Sequence, residues 1–167
     1  MKTTTRLLIS VALPVIVIDQ LIKFFVASAL PLGGAWSPLA GPNPFFQIVY
    51  TINTGVAFGL FKDLGLVFII IPLVISGVLF LSAERLRPDQ RLIAVALGLM
   101  AGGALGNVID RLRLGGGVLD FFDVGIGTLR NASNVADWSI VLGVILLALA
   151  MWREERQAKL SGDVRSN

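Results

Sequence analysis

Asp110, Asp120 and Asp137 lie near the ends of two apolar segments in a 167-residue chain that has no histidine and no cysteine. An ionisable group at membrane depth is costly and is by default a functional candidate, so these carboxylates are where chemistry is sought. The missing cysteine removes thiol nucleophiles and thiolate metal sites. The missing histidine removes the commonest catalytic base and zinc ligand. Carboxylate, lysine, tyrosine and water remain for acid/base work. Two carboxylates facing each other in a partly dry site cannot both ionise; they share a proton and can hold a water between base and acid, which is aspartic peptidase chemistry. Asp110 ends a helical segment, where the helix dipole disfavours it, and has Arg111 and Arg113 beside it as candidate counter-ions. Asp120 sits in the apolar run Val118-Leu119-Asp120-Phe121-Phe122, which favours its protonated form. Asp137 follows Asn134-Val135-Ala136 at a helix start, which favours the charged form. These opposed environments make Asp120 with Asp137 the better acid/base pair. The plainer alternative is a helix-capping Asp137 and a loop Asp120.

The elements that position these groups follow from composition. Apolar residues make up 55% of the chain, charged residues 15%, and mean hydropathy is +0.81, against about 45–50% apolar content in soluble domains. The expected fold is an all-α integral membrane protein, a single four-transmembrane-helix bundle with a small extracytoplasmic β-rich segment and a second outer loop. Spans are expected near 7–30, 64–83, 92–109 and 135–152, with outer segments 31–63 and 110–134. With both termini cytoplasmic, that side holds nine basic residues: Lys2, Arg6, Arg85, Arg87, Arg91, Arg153, Arg156, Lys159 and Arg165. The other side holds four, Lys62, Arg111, Arg113 and Arg130, so the positive-inside rule favours this orientation. Because the basic residues flank spans, the net charge of +3 does not imply nucleic acid. The first span imitates a cleavable leader, with Ala27-Ser28-Ala29 at its end. Asp19 and Lys23 interrupt it, and retention is expected.

Asp19 and Lys23 are four apart and share a helix face, where pairing lowers the cost of two charges in the membrane. Gly98, Gly102 and Gly106 recur every four residues beside Gly103, a face for close helix packing. At about 1.5 Å per residue, Asp110 is roughly 27 Å from Leu92, near the far edge of the hydrocarbon. Asp137 starts the returning span at the same level. Residues 46–52 alternate like a strand, with apolar faces that could rest on lipid. Gly115-Gly116-Gly117 suits either a mobile lid over the site or an ordinary connector.

Five stretches in order now matter together: Asp19-Gln20 with Lys23, Asn53-Thr54-Gly55-Val56-Ala57-Phe58, Gly103 through Arg111, Val118-Leu119-Asp120-Phe121, and Asn134-Val135-Ala136-Asp137. Together they resemble the motifs of the lipoprotein signal peptidase (signal peptidase II) family over nearly the whole chain. Ile22, Leu119 and Ser133 depart from the usual pattern. The resemblance implies a cofactor-free aspartic endopeptidase of the bacterial cytoplasmic (inner) membrane, active at the outer face. It implies Asp120 and Asp137 as the catalytic dyad, and prolipoproteins with a diacylglyceryl-modified cysteine as substrates, cut just before that cysteine. Asn53, Gly55, Asn107, Asp110, Arg111, Asn134, Asp19 and Lys23 are the implied substrate-binding or dyad-supporting residues. Membrane lipids are expected partners; nucleic acid is not, and no oligomer is required. A small proton-coupled transporter or channel is the alternative, but it would hold its charges near the midplane and often shows repeats. A scaffold would leave the carboxylates idle.

Overall fold

The computed structural model describes residues 1–38, 45–54 and 66–163. Among the described residues four long helices form in the apolar stretches: α1 (Thr3–Ala29), α2 (Val67–Arg85), α3 (Arg91–Arg113) and α4 (Val135–Asp163). Between them run β1 (Ala35–Trp36), β2 (Phe46–Asn53), β3 (Val118–Ile126) and β4 (Leu129–Ser133). All four helices are long and apolar enough to cross a membrane. Their outward faces carry exposed Phe24, Phe25, Ile70, Val74, Val141 and Ile145, which water would penalise and lipid accepts.

The bundle is organised around α3, and its small-residue face explains why. A Cβ on Gly98 would lie 2.7 Å from the Leu8 carbonyl oxygen, and one on Gly102 2.8 Å from that of Ala12, so α1 sits directly on the α3 backbone. Gly103 faces the Ala136 carbonyl of α4 just as closely, and Gly106 separates the Asp19 carboxylate from Ala136. The glycine stripe thus brings both α1 and α4 to the same end of α3. We expect Gly103→Ala to force α4 away and cost about 1–3 kcal/mol. Gly77→Ala, at a position with open space, should be neutral or mildly stabilising. Thermal denaturation of both variants in detergent compares them; equal midpoints would remove the packing role.

The strands form one antiparallel sheet in the order β1-β2-β3-β4. Its first half packs on the outer end of α1, where Val26 meets Leu119 and Phe121, with Ile22 and Leu30 alongside. The strand expected over 46–52 is present as β2. The expected second outer loop is instead largely a hairpin, β3 with β4, paired to β2 through Thr51 opposite Asp120. The lid reading of Gly115–Gly117 changes with it. Gly115 and Gly116 have φ of 64° and 102°, a left-handed turn that carries the chain from α3 into β3. Gly117 lies against Ile52 so closely that a Cβ would not fit. Backbone conformation at Gly115 and Gly116 and packing at Gly117 each oppose alanine, so replacing all three would strain the fold as well as test lid motion. Helix limits also shift. α3 continues through Asp110 to Arg113, and α4 runs well past the expected end at 152 as a polar extension.

Candidate active site

Two polar clusters meet where α1, α3, β3 and α4 converge. The first is charged and closed. Lys23 Nζ lies 2.7 Å from Asp19 Oδ2 and 2.7 Å from Asp110 Oδ2, with all three side chains almost wholly buried. The helical spacing of Asp19 and Lys23 makes the first contact; close packing of α1 on α3 makes the second. Each carboxylate then holds a backbone from another element: Asp110 Oδ2 accepts from the Leu119 N–H at 3.1 Å, and Asp19 Oδ1 from the Ala136 N–H at 3.0 Å. Gln20 Nε2 adds a bond to Asp110 Oδ1 at 2.9 Å. Charge-paired and saturated in this way, the triad ties α1, α3, β3 and α4 together.

The second cluster holds two carboxylates with amides. Asn134 is the N-cap of α4 and Asp137 its third helical residue, and they form a reciprocal capping box. The Asp137 N–H donates to Asn134 Oδ1 at 2.9 Å, and the Asn134 N–H to Asp137 Oδ2 at 3.3 Å. Asn134 Nδ2 also donates to Asp120 Oδ1 at 2.7 Å, so one residue bonds both aspartates. Asn53 Nδ2 reaches Asp120 Oδ2 at 3.0 Å from β2, and Asn107 Nδ2 reaches Asp137 Oδ1 at 2.8 Å from α3. Asn107 Oδ1 faces Lys23 Nζ at 3.3 Å, which joins the two clusters. Among the described residues neither Asp120 nor Asp137 has an ion pair.

Asp120 is 2% exposed and Asn134 fully buried. Burial pushes the Asp120 carboxyl above the usual aspartate range and the nearby charge of Asp137 adds to this, while bonds from Asn53 and Asn134 and the field of Lys23 oppose it. A carboxyl biased toward its protonated form beside a second carboxyl, both oriented by amides, can act as acid and base on one water. A cleft of about 320 Å³ lies beside Asn107 and Arg111, walled by Pro72, Ile75, Met100 and Ile140 of α2, α3 and α4. Among the described residues no group of three or more His, Cys, Asp and Glu is placed to hold a metal.

The profile of the family described as Signal peptidase (SPase) II matches residues 11–153. The chain belongs to the signal peptidase II family. Its relatives include a lipoprotein signal peptidase of Geobacter sulfurreducens, 42% identical over 94% of this chain and 98% of that one. Another, from Geobacter metallireducens, is 41% identical over 94% and 97%. A solved structure described as a bacterial membrane enzyme superposes with TM-score 0.75 at 33% identity, covering 86% of this chain and 91% of the other. Membership in the signal peptidase II family makes the chain a protease, and its four apolar helices make it a multi-pass membrane protein.

Within this signal peptidase II, the sequence-derived residues fall into distinct places. Asp120, Asp137, Asn53, Asn107 and Asn134 converge; Asp19, Lys23 and Asp110 form the adjoining triad. Gly55 lies outside the described residues. The expected counter-ions of Asp110 need correction: the cation is Lys23. Arg113 Nη1 donates to Gln20 Oε1 at 3.1 Å. Arg111 turns the other way, donating to the Asn107 carbonyl at 3.3 Å, with its guanidinium carbon 5.9 Å from the Phe68 ring centre. Its Nε is buried without a hydrogen-bond partner among the described residues, on the wall of the cleft. Sequence reading missed the role of Gln20, whose signal was a second polar residue beside Asp19 in an apolar run. It also passed over Asp123, which binds Arg130 Nε at 2.6 Å and Gln47 Nε2 at 2.5 Å, away from the site.

Proposed function

We propose that this signal peptidase II removes signal peptides from bacterial prolipoproteins, cutting before the diacylglyceryl-modified cysteine with Asp120 and Asp137 as an aspartic dyad. The observation that carries the assignment is the division of the acids. Asp19 and Asp110 share the cation of Lys23, whereas Asp120 and Asp137 face each other's field through Asn134 with amide partners alone. Asp120, raised by burial, holds the proton. Asp137, at a helix N-terminus and accepting two N–H bonds, is the base. Asp137 takes a proton from water as the water oxygen attacks the scissile carbonyl carbon, and Asp120 gives its proton to the carbonyl oxygen. Collapse of the diol breaks the C–N bond. The amine leaves with the proton gained by Asp137, and the diol returns one to Asp120.

Arg111 and Asn107 border the cleft, and Asn107 also bonds Asp137, a position for holding the peptide beside the dyad. Asn53, two residues before Gly55 in sequence, holds Asp120 from the strand side. The nine-to-four bias of basic residues supports cytoplasmic termini, a cytoplasmic-membrane location and a site at the outer face. Purified protein in detergent, given a lipidated precursor and no membrane gradient, tests the reading. Cleavage before the modified cysteine supports the peptidase and excludes a transporter; intact precursor over prolonged incubation sinks it.

Two expected results follow from the mechanism. The rate should be bell-shaped in pH, since the doubly protonated and doubly ionised dyads are both inactive. The basic limb should lie above the ordinary aspartate range of about 3.9, because burial raises Asp120. Chelators should leave the rate unchanged, and metal-dependent recovery after chelation would contradict the dyad. For the substrate, diacylglyceryl should anchor the scissile bond at dyad depth, at about 0.8 kcal/mol per buried CH₂. A precursor lacking the lipid should therefore be cut far more slowly in the same bicelles, and equal single-turnover rates would refute the anchoring.

A further inference from the structure

Apart from the cleft among α2, α3 and α4, a recess of about 230 Å³ lies where the outer end of α1 meets β2 and the last turn of α3. Lys23, Asp110, Tyr50 and Arg113 are in its lining. Local structure builds it. The register of β2 shifts between Ile48 and Thr51, an irregularity of the kind that re-aims side chains. Tyr50 in that stretch is held over the end of α1: its N–H donates to the Gly34 carbonyl at 3.0 Å, and its carbonyl accepts from the Gly33 N–H at 2.8 Å. The hydrogen-bonding capacity left in the recess is donor capacity. Lys23 spends its three donors on Asp19, Asp110 and Asn107. Both carboxylates are committed in turn to Lys23 and to backbone N–H groups. Arg113 is exposed, spends one N–H on the neutral amide of Gln20, and has no carboxylate partner among the described residues. The hydroxyl of Tyr50 has no hydrogen-bond partner among them either. A guanidinium fork beside an unspent hydroxyl suits the oxygens of a phosphate.

Depth and the flank of α1 select the source of that phosphate. At about 1.5 Å per residue, Arg113 is roughly 31 Å from Leu92, just past a hydrocarbon layer about 30 Å thick and level with lipid phosphates. Val17, Leu21, Phe24 and Ser28 follow one another at intervals of four, three and four residues, so they share one face of α1. All four are exposed, and Phe24 and Ser28 line the recess. An apolar stripe therefore runs from the recess toward the bilayer interior, and a free inorganic anion would make no use of it. We propose that the recess holds an anionic phospholipid of the outer leaflet, its phosphate between Arg113 and Tyr50 and one acyl chain along Phe24, Leu21 and Val17. Phosphatidylglycerol suits it better than phosphatidylethanolamine, whose ammonium would find both nearby carboxylates already on Lys23. The lipid joins α1 to α3 from outside, next to the triad that joins them from within.

The test uses the whole chain, stripped of lipid in a neutral detergent and titrated with phosphatidylglycerol, phosphatidylethanolamine, diacylglycerol or inorganic phosphate. Native mass spectrometry counts bound lipid on folded protein at low temperature, so a change in stability does not obscure binding. Phosphatidylglycerol should bind at one tight site and raise the unfolding midpoint, well ahead of the other three. Arg113→Gln should weaken that site about tenfold or more, the size of a lost charge-assisted bond, and Tyr50→Phe by a smaller factor. Arg6→Gln removes the same charge at the opposite end of α1 and should leave the tight site intact. An equal loss in Arg6→Gln would reduce the binding to general attraction between charges and overturn the proposal. Equal binding of phosphatidylethanolamine or diacylglycerol would overturn it too, as would equal protection by inorganic phosphate, which would make the occupant a free anion. Displacement of the lipid by one equivalent of lipidated precursor would give the recess to the substrate and likewise sink it.

Discussion

Asp120→Asn and Asp137→Asn should each lower the single-turnover cleavage rate by about 10²–10⁴-fold or more, because asparagine keeps the shape of the side chain but transfers no proton. The two should be equally inactive, since either loss leaves the dyad without an exchangeable proton pair. Stability should not follow activity. A carboxyl raised by burial stabilises the fold below the ordinary aspartate pKa of about 3.9, and this contribution is lost as pH rises through the raised folded value. At neutral pH, Asp120→Asn therefore removes a charge whose burial is unfavourable. In exchange, its own NH₂ opposes one of two donors, Asn53 Nδ2 or Asn134 Nδ2. The opposed donor and the lost buried charge act in opposite directions, so the net change should stay within about 1 kcal/mol. Unfolding midpoints of wild type and variant, followed from acid to neutral pH, should converge or cross in the variant's favour. Robust turnover by either variant under conditions where wild type is active would exclude the dyad.

Lys23→Met should be the most damaging substitution for the fold. It leaves Asp19 and Asp110 buried with no counter-ion, a change that typically costs about 3–5 kcal/mol. Adding Asp110→Asn should recover part of the loss by removing one stranded charge, although Asp110 also holds the Leu119 N–H. Asp110→Asn alone should reduce activity through positioning, since it loosens the start of the strand that carries Asp120. Denaturation midpoints of the single and double variants decide this. A Lys23→Met protein as stable as wild type would mean that the two carboxylates are neutralised in another way.

Much of this arrangement could be read from the sequence because it is local. Asp19 and Lys23 meet through helical spacing, the glycine stripe appears as a period of four, and Asp137 three residues after Asn134 is a capping box. What required the fold was long-range. Arg111, adjacent to Asp110, points about 100° around the helix and away from it, a geometry that sequence neighbourhood conceals. The true partner, Lys23, comes from α1 and reaches Asp110 only because the glycines let the two backbones approach. The hairpin was hidden for a different reason. Gly115–Gly117 reads as a flexible loop, whereas the positive φ of Gly115 and Gly116 turns the chain into β3. The placement of Asp120 opposite Thr51, with Asn53 in hydrogen-bond reach across 67 positions of sequence, depends on long-range strand pairing.

The amide of Asn134 has a consequence for how the site comes together. Its NH₂ points at Asp120 and its oxygen at the Asp137 N–H, so both contacts depend on one planar group. A half-turn of that plane would set NH₂ against the Asp137 N–H and take away the donor that the Asp120 oxygen accepts from. Helix start and strand therefore engage or release as a unit. No orientation of the amide retains one of these bonds while inverting the other, so one plane sets strand and helix start in register.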